Sequence, residues 1–547
     1  MSFKLTERDI NKFYCFYKLK HKTQMFKNIK GVKLFLNRMN HTVLVADTAL
    51  KIVAVKDLMK IGVNIERLYC SALLHDIGHT PYGHAGEEKI NELFLSNDEI
   101  NYSKYDSGSF KHNLNSIRLV GKYFFIDPNK KDYILIDSIL KHASTFPKQY
   151  DYSRFQEDDI FEQNYVLRLA RIAKSPLIHE FLIQFTYKAN SCDCMTRCSL
   201  PDKNVCHYCD KQKNNLCYIH PNIGKYALSM YLSYPYPLTC EGTVLYWADE
   251  ISCLCGDICD VLVFIKYLLI KKNHQPILLS KFKCSINLLV ARYGCNDVLN
   301  TILDCISIVE NKTIDFESCK RRLKYRLLNL DNQSSLISLL IFSIETNDIR
   351  DNDIKLNFKN DHCDLLFKMD DKTNSIYKKI KTQIYSEIHS YRYIKRVNLR
   401  GKERIKQISE MFFSNLCLFM KEYHITTIGK LIKLNTFKNI GSALYSTLRI
   451  DKKVQSKKSF NRAFKADFSN LQNPIKLNYR SLSNVKCLKP YLKNNTEGKK
   501  RVLQLFQREV LQFVASLPEN KIERYYNDKK YPIKVSSRTR FPKDYDL

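Results

Sequence analysis

The chain has 547 residues, about 44% of them apolar, with 15 glycines, 14 prolines and a formal charge of +32. That composition excludes a disordered or collagen-like chain and leaves room for two to four domains, or for one large helical domain with additions. The charge favours polyanionic partners (nucleotides, nucleic acid or an acidic membrane surface), although an AT-rich coding sequence inflates lysine in the same way. The start, MSFKLTERDINKF, is too polar for a secretion or transit signal, and no apolar run approaches the roughly 20 residues of a membrane span. The expectation is a soluble, cytoplasmic chain with no membrane partner. Its 19 cysteines are then thiols or metal ligands rather than disulfides.

Residues from about 1 to 35 read as a helix-like start and then a loop, FKNIKGVKLF, and a helix follows over 38–55, where HTVLVADTALKIVAV sets apolar residues at helical spacing. A second runs over 65–75. ERLYCSALL supplies its buried face, and Gly78 of HDIGH is its stop. The helix restarts near Gly83, just after Pro81. HNLNSIRLVGKYFF and YILIDSILKHAS each read as one more helix. Residues 190–222 break the pattern with a cysteine-rich stretch. Periodicity returns in GTVLYWADEISCLCGDICDVLVFIKYLLI, and three further helical stretches cover roughly 275–450. At DKKVQSKKSF the chain turns polar and basic, and KRVLQLFQREVLQFVASL is the clear amphipathic helix beyond it. The fold class is all-α: a helical core over residues 1–445 with a cysteine-rich insert, then a smaller basic region over 446–547.

The run LLHDIGHTPYGHAGEE places His75, Asp76, His79, His84, Glu87 and Glu88 within about four helical turns. A solvated surface seldom uses that much imidazole, and an apolar core has no use for unpaired carboxylates. Imidazole and carboxylate together suit a divalent cation at a phosphate-cleaving site. The doublet His75–Asp76 cannot hold an ion alone. RMNHT offers Arg38 and His41 on one helix face at i, i+3. WADEI offers Asp249, on a helix where Cys253, Asp257 and Asp260 continue one polar stripe.

This H…HD…D order resembles the HD superfamily of metal-dependent phosphohydrolases. The blocks KTQMF, RMNHT, HDIGHTPYGHAGEE, FKHNLNSIRL, ILKHAS and PLTCEGTVLYWADEI, in that order, resemble the deoxyguanosine triphosphate triphosphohydrolase (dGTPase) family over about residues 15–265. The resemblance implies an HD-type helical core with His41, His75, Asp76 and Asp249 as ligands of Mg, Mn or Fe. It implies His84, its acidic partner Glu87, and His112 as catalytic groups. It implies Arg38 on the triphosphate, and Gln24 and Asp257 near the sugar hydroxyl. Homo-oligomers and single-stranded DNA binding are implied as well. Where the family usually has tyrosine, four residues after the last metal aspartate, this chain has Cys253, which puts deoxyribose discrimination in question.

The chemistry expected is attack of water at the α-phosphorus of a deoxynucleoside triphosphate (dNTP), releasing nucleoside and inorganic triphosphate. The alternatives are an HD-type phosphodiesterase or nuclease, and a nucleic-acid-binding protein with a vestigial site. In the insert, Cys192, Cys194, Cys198, Cys206, Cys209 and Cys217 cluster with His207 and His220 nearby. CHYC is a common half of a tetrahedral zinc site, so structural zinc is expected there, against a loose reduced loop as the alternative. In the basic C-terminal region, KSFNRAFK and SSRTRFPK interleave aromatics with cations, as single-strand binders do.

Overall fold

The computed structural model describes residues 14–22, 37–95, 110–123, 133–142, 236–237, 239–271, 279–294, 297–310, 331–345, 358–359, 362–363, 368–384, 392–420, 444–445, 456–469, 476, 479–482, 484–492 and 496–527. Its helices are α1 (Tyr14–Lys18), α2 (Arg38–Val55), α3 (Ile65–Leu74), α4 (Gly83–Leu95), α5 (His112–Tyr123), α6 (Tyr133–Lys141), α7 (Cys240–Lys271), α8 (Leu279–Tyr293), α9 (Asp297–Glu310) and α10 (Asp331–Phe342). They continue with α11 (Asp371–Gln383), α12 (Arg392–Ser414), α13 (Lys457–Ser469), α14 (Tyr479–Leu482), α15 (Lys489–Leu492), α16 (Thr496–Ser516) and α17 (Glu519–Asn527). Strand content among the described residues is slight. β1 (Ile344–Glu345) pairs antiparallel with β4 (Lys368–Met369), Ile344 facing Met369, and β2 (Phe358–Lys359) pairs with β3 (His362–Cys363). The chain is all-α, and no helix among the described residues is long and apolar enough to cross a membrane.

The described residues form two compact units interleaved in sequence. The first is drawn from 23–78 and 111–396, the second from 13–22, 79–110 and 397–547. A cut near residue 445 follows the change in composition, whereas these units follow packing.

In the first unit α7 packs against α2, α3, α6, α9 and α10. Its sequence explains this central place. Val244, Leu245, Trp247, Ala248, Ile251, Leu254, Cys255 and Ile258 are all buried, so the helix is apolar around most of its girth and needs neighbours on several sides. Each such large side chain contributes about 1.5–3 kcal/mol relative to exposure. Side-chain caps start the surrounding helices. Asn37 Oδ1 accepts from Asn40 N at 2.9 Å ahead of α2, Asn64 Oδ1 from Arg67 N at 2.8 Å at α3, and Asp370 Oδ1 from Thr373 N at 3.0 Å at α11. Each cap is worth about 1 kcal/mol.

The second unit packs α4 against α16, where Gln507 Nε2 donates to the Leu93 carbonyl at 3.0 Å. Phe412, Phe419, Phe513 and Tyr525 meet edge to face in its core, with ring centroids 5.5–6.1 Å apart. Tyr82 takes a positive φ of 62°, an uncommon state for a bulky residue. Its N–H donates to Glu519 at 3.0 Å and its hydroxyl to Glu523 at 2.8 Å, which hold it there. Phe460 and Phe464 of KSFNRAFK lie on α13, fully buried, with their rings stacked 6.3 Å apart. These rings belong to the core, which corrects the expectation that they stack on bases. An i, i+4 pair of phenylalanines is a helix face first.

Candidate metal centre

α3 ends at Leu74, and His75 continues in right-handed helical geometry as its C-cap. Gly78 is not the left-handed stop expected of it, since the positive-φ glycines among the described residues are Gly62, Gly83 and Gly294. Its requirement is space. A Cβ at Gly78 would lie 2.2 Å from both the His112 carbonyl oxygen and the Ser116 nitrogen. The turn therefore sits directly on α5. Gly78 N donates to Ser116 Oγ at 2.9 Å, Ser116 Oγ donates to the His75 carbonyl at 2.6 Å, and Asn115 Nδ2 donates to the Gly78 carbonyl at 2.7 Å. These bonds fix the doublet against the helix that carries His112.

Three remote segments of the first unit then converge. His41 Nε2 on α2 lies 3.0 Å from Asp249 Oδ1 on α7. His75 Nε2 lies 3.5 Å from Asp76 Oδ1 and 3.7 Å from Asp249 Oδ1. His41, His75 and Asp76 offer ligand atoms all within 4.8 Å of one another. All four residues are buried. The pairing of α2 with α7 is held beside them by Ser252 Oγ, which donates to Thr48 Oγ1 at 3.0 Å. Arg38 is also buried, and its Nη1 donates to Asp76 Oδ2 at 2.6 Å.

The histidine orientations suit a cation. His75 Nδ1 is 2.6 Å from the Ala72 carbonyl, which can only accept, so Nδ1 carries the proton. In the neutral ring Nε2 then presents its lone pair, and this fully buried atom has no hydrogen-bond partner. A ring fixed through one nitrogen with the other left bare is how proteins prepare a metal-binding imidazole. Asp249 stays ionised. Burial pushes its carboxyl up, but the His41 hydrogen bond and the neighbouring His75, His41 and His142 outweigh burial and hold it well below the usual carboxylate range.

His142 has no role in the sequence reading, yet it belongs to this group. Its Nδ1 is tied to the Ile139 carbonyl at 2.6 Å, as His75 is tied to Ala72, and its Nε2 lies 3.9 Å from Asp76 Oδ1. Its ring is 4.8 Å from that of His75 and 5.7 Å from that of His112. Burial, then the neighbouring His75, lowers its pKa to about 4. ILKHAS carried the one signal available: a histidine just past an apolar helix.

Beyond Asp249 the polar stripe of α7 remains in view. Cys253 Sγ lies 3.6 Å from Asp249 Oδ1 and 3.9 Å from His41 Nε2. Burial raises its thiol pKa well above the ordinary value, and the nearby Asp249, Asp257 and Glu250 raise it further. Burial likewise lifts Asp257 to about 7, against the pull of Lys381 and His41. Glu250 accepts from Lys381 Nζ at 2.7 Å and from the Tyr377 hydroxyl, both on α11. No sequence pattern announces that trio.

In the second unit, His84 and Glu87 lie on α4 at i, i+3 and present a ring nitrogen and a carboxylate oxygen within 4.8 Å of each other. Glu87 is buried and His84 exposed. Gln24, the six cysteines of the insert from Cys192 to Cys217, and SSRTRFPK lie outside the described residues.

With this geometry in place, the comparisons define the class. Residues 38–168 match the HD domain family, so the chain carries an HD domain over that region. Within it, the chain is similar to deoxyguanosinetriphosphate triphosphohydrolase-like proteins. It is 36% identical to that of Pelagibacter ubique over 131 residues, which is 23% of this chain and 31% of the relative. It is 33% identical to that of Geobacter metallireducens over 149 residues, 26% and 34% of the two chains. It is 31% identical to that of Wolinella succinogenes over 154 residues, 27% and 38%. The matches thus span about a third of the relatives' length.

Proposed function

We propose that this chain hydrolyses dNTPs to deoxynucleoside and inorganic triphosphate with the help of a divalent cation. The observation that carries this reading is the convergence of His41, His75, Asp76 and Asp249, with His75 Nε2 buried and unpartnered among them. An orphaned buried nitrogen costs about 1–3 kcal/mol unless something binds it. A cation held by these four residues, Mg, Mn or Fe, would supply Lewis-acid polarisation of a phosphoryl oxygen and make water more acidic.

The remaining roles fall to the chain's own groups. Arg38, next to Asp76, neutralises triphosphate charge. His84 passes a proton to the departing 5′-oxygen, because an alkoxide leaves poorly, and Glu87 fixes the tautomer of His84 and favours its charged form. His112 adds a donor beside the phosphates. Gln24 and Asp257 contact the sugar hydroxyl. Zinc on the cysteine-rich insert, self-association, and single-strand binding through the basic C-terminal region complete the proposal. With Phe460 and Phe464 buried, the single-strand reading rests on charge and on the segment beyond α17.

The direct test incubates purified protein with each dNTP and Mg²⁺ or Mn²⁺ and resolves the products. Nucleoside plus triphosphate supports the reading; monophosphate plus pyrophosphate contradicts it and favours a different phosphohydrolase. Elemental analysis that finds no zinc ends the idea of a zinc insert. Equal, salt-independent affinity for single strands with and without residues 528–547 ends the tail proposal.

A further inference from the structure

We propose that Cys253 is an additional, sulfur ligand to the cation held by His41, His75, Asp76 and Asp249, and that it biases the centre towards zinc, iron(II) or cobalt(II) over magnesium. This rests on the metal reading above and names the metal class. Cys253 follows Asp249 by one turn of α7, so both side chains leave the same face. The three atoms His41 Nε2, Asp249 Oδ1 and Cys253 Sγ are 3.0, 3.6 and 3.9 Å apart. Ligands at bond lengths of about 2.1 Å for nitrogen and oxygen and about 2.3 Å for sulfur take up such separations when they subtend about 90°, 110° and 125° at one ion. Those angles fit a distorted five-coordinate centre, so the thiol requires no rearrangement of α7.

A second, independent feature points to a cation beside the same Asp249 oxygen. His75 Nε2 is fully buried, has no hydrogen-bond partner, and lies 3.7 Å from the Asp249 oxygen that Cys253 faces. The bland alternative is that the Cys253 thiol only donates a weak hydrogen bond to Asp249. That alternative leaves the thiol protonated when the cation binds, which the proton count below distinguishes. Ligand softness decides the metal class. Magnesium takes oxygen ligands in near-ideal octahedra and gains nothing from a thiolate, whereas imidazole with thiolate suits zinc, iron and cobalt. As the sulfur–metal bond forms, the thiol proton leaves to solvent.

The test is a cobalt(II) titration of the full chain, with wild type compared to Cys253→Ser. The wild-type minus variant spectrum should show a thiolate-to-cobalt charge-transfer band, which cancels the contribution of the insert cysteines. Wild type should release one more proton per chain at saturation. The variant should bind cobalt about tenfold or more weakly, the lower end of what outer-sphere changes alone cost, with manganese affinity little changed. Superimposable spectra with equal proton release would overturn the Cys253 assignment and leave the metal reading intact. Wild type and His75→Ala binding the same number of cobalt ions would overturn both. Should Cys253→Ser fail to fold, cadmium-113 resonances of the wild-type chain decide. A signal in the one-sulfur range supports the ligand, and its absence refutes it.

Discussion

Replacing Gly78 with alanine should dismantle the proposed metal centre without touching a residue assigned to it. The added Cβ would sit 2.2 Å from the His112 carbonyl oxygen and from the Ser116 nitrogen, about 1.2 Å short of the 3.4 Å at which ordinary contact begins. Both clashing atoms are backbone, so no rotamer change relieves them. The turn and α5 must separate by roughly that distance, stretching the Ser116 and Asn115 bonds that clamp it. Overpacking of this kind costs about 1–3 kcal/mol, and the rigid neighbours put it at the upper end. In a unit of this size that is a fall in melting temperature of about 3–4 °C. Because His75 and Asp76 ride on the same turn, a shift of about 1 Å should also cost about 10²-fold in turnover. Thermal denaturation followed by circular dichroism measures the first and product release the second, with calorimetric titration reading metal affinity. Gly294→Ala is the control. There nothing lies within 4 Å of the added carbon, and only the positive φ of 81° is strained, so metal affinity should hold. If Gly78→Ala kept both wild-type melting temperature and wild-type metal affinity, the packing argument would be wrong.

Asp76→Ala should remove metal from the centre and lower turnover by several orders of magnitude, read by elemental analysis and product release. Lys381→Met should cost about 1 kcal/mol, because the lysine is half-exposed and its pair with Glu250 is screened, not the several kcal/mol of a fully buried pair. Denaturant midpoints of the single and double variants with Glu250→Gln test this, and strict additivity would deny the coupling. Two buried groups should give opposed pH dependences in chelator-treated protein. Asp257 keeps its proton to about pH 7 when folded and loses it near pH 3.9 when unfolded, so its contribution to stability falls as pH rises between those values. His142 protonates at about 4 when folded and near 6.5 when unfolded, so its contribution falls as pH drops through that window. Asp257→Asn should therefore make stability climb more steeply from pH 4 to 6.5. Denaturation curves of the variant that parallel wild type across that range would contradict the assignment.

Much of the helical order is legible in the sequence because burial is written in period. Apolar residues over 38–55 and the girth of α7 predict their helices and the depth at which they lie. The cluster proposed to hold a metal is legible through unlike residues, histidine and aspartate, at spacings a core would not use. His142 escaped because a single histidine after a helix carries no pattern, and only the i−3 carbonyl reveals which nitrogen faces inward. The trio of Glu250, Tyr377 and Lys381 escaped because its members stand 127 and 131 residues apart. Gly78 was read for its chain geometry when its reason is a neighbour 34 residues later. The two units share this cause: packing between remote helices such as α4 and α16 leaves no local mark on composition.

The start of α7 is moored to α6. Asp137 Oδ2 accepts from Thr239 N at 3.0 Å and from Thr239 Oγ1 at 2.8 Å, across 102 residues of chain. These two bonds hold two points of the chain side by side whatever the length between them. Bringing two such points together costs only about 0.6 kcal/mol more for each doubling of that length. The anchor therefore fixes where α7 begins, and with it the height at which Asp249 meets the doublet, independently of the chain that separates α6 from α7.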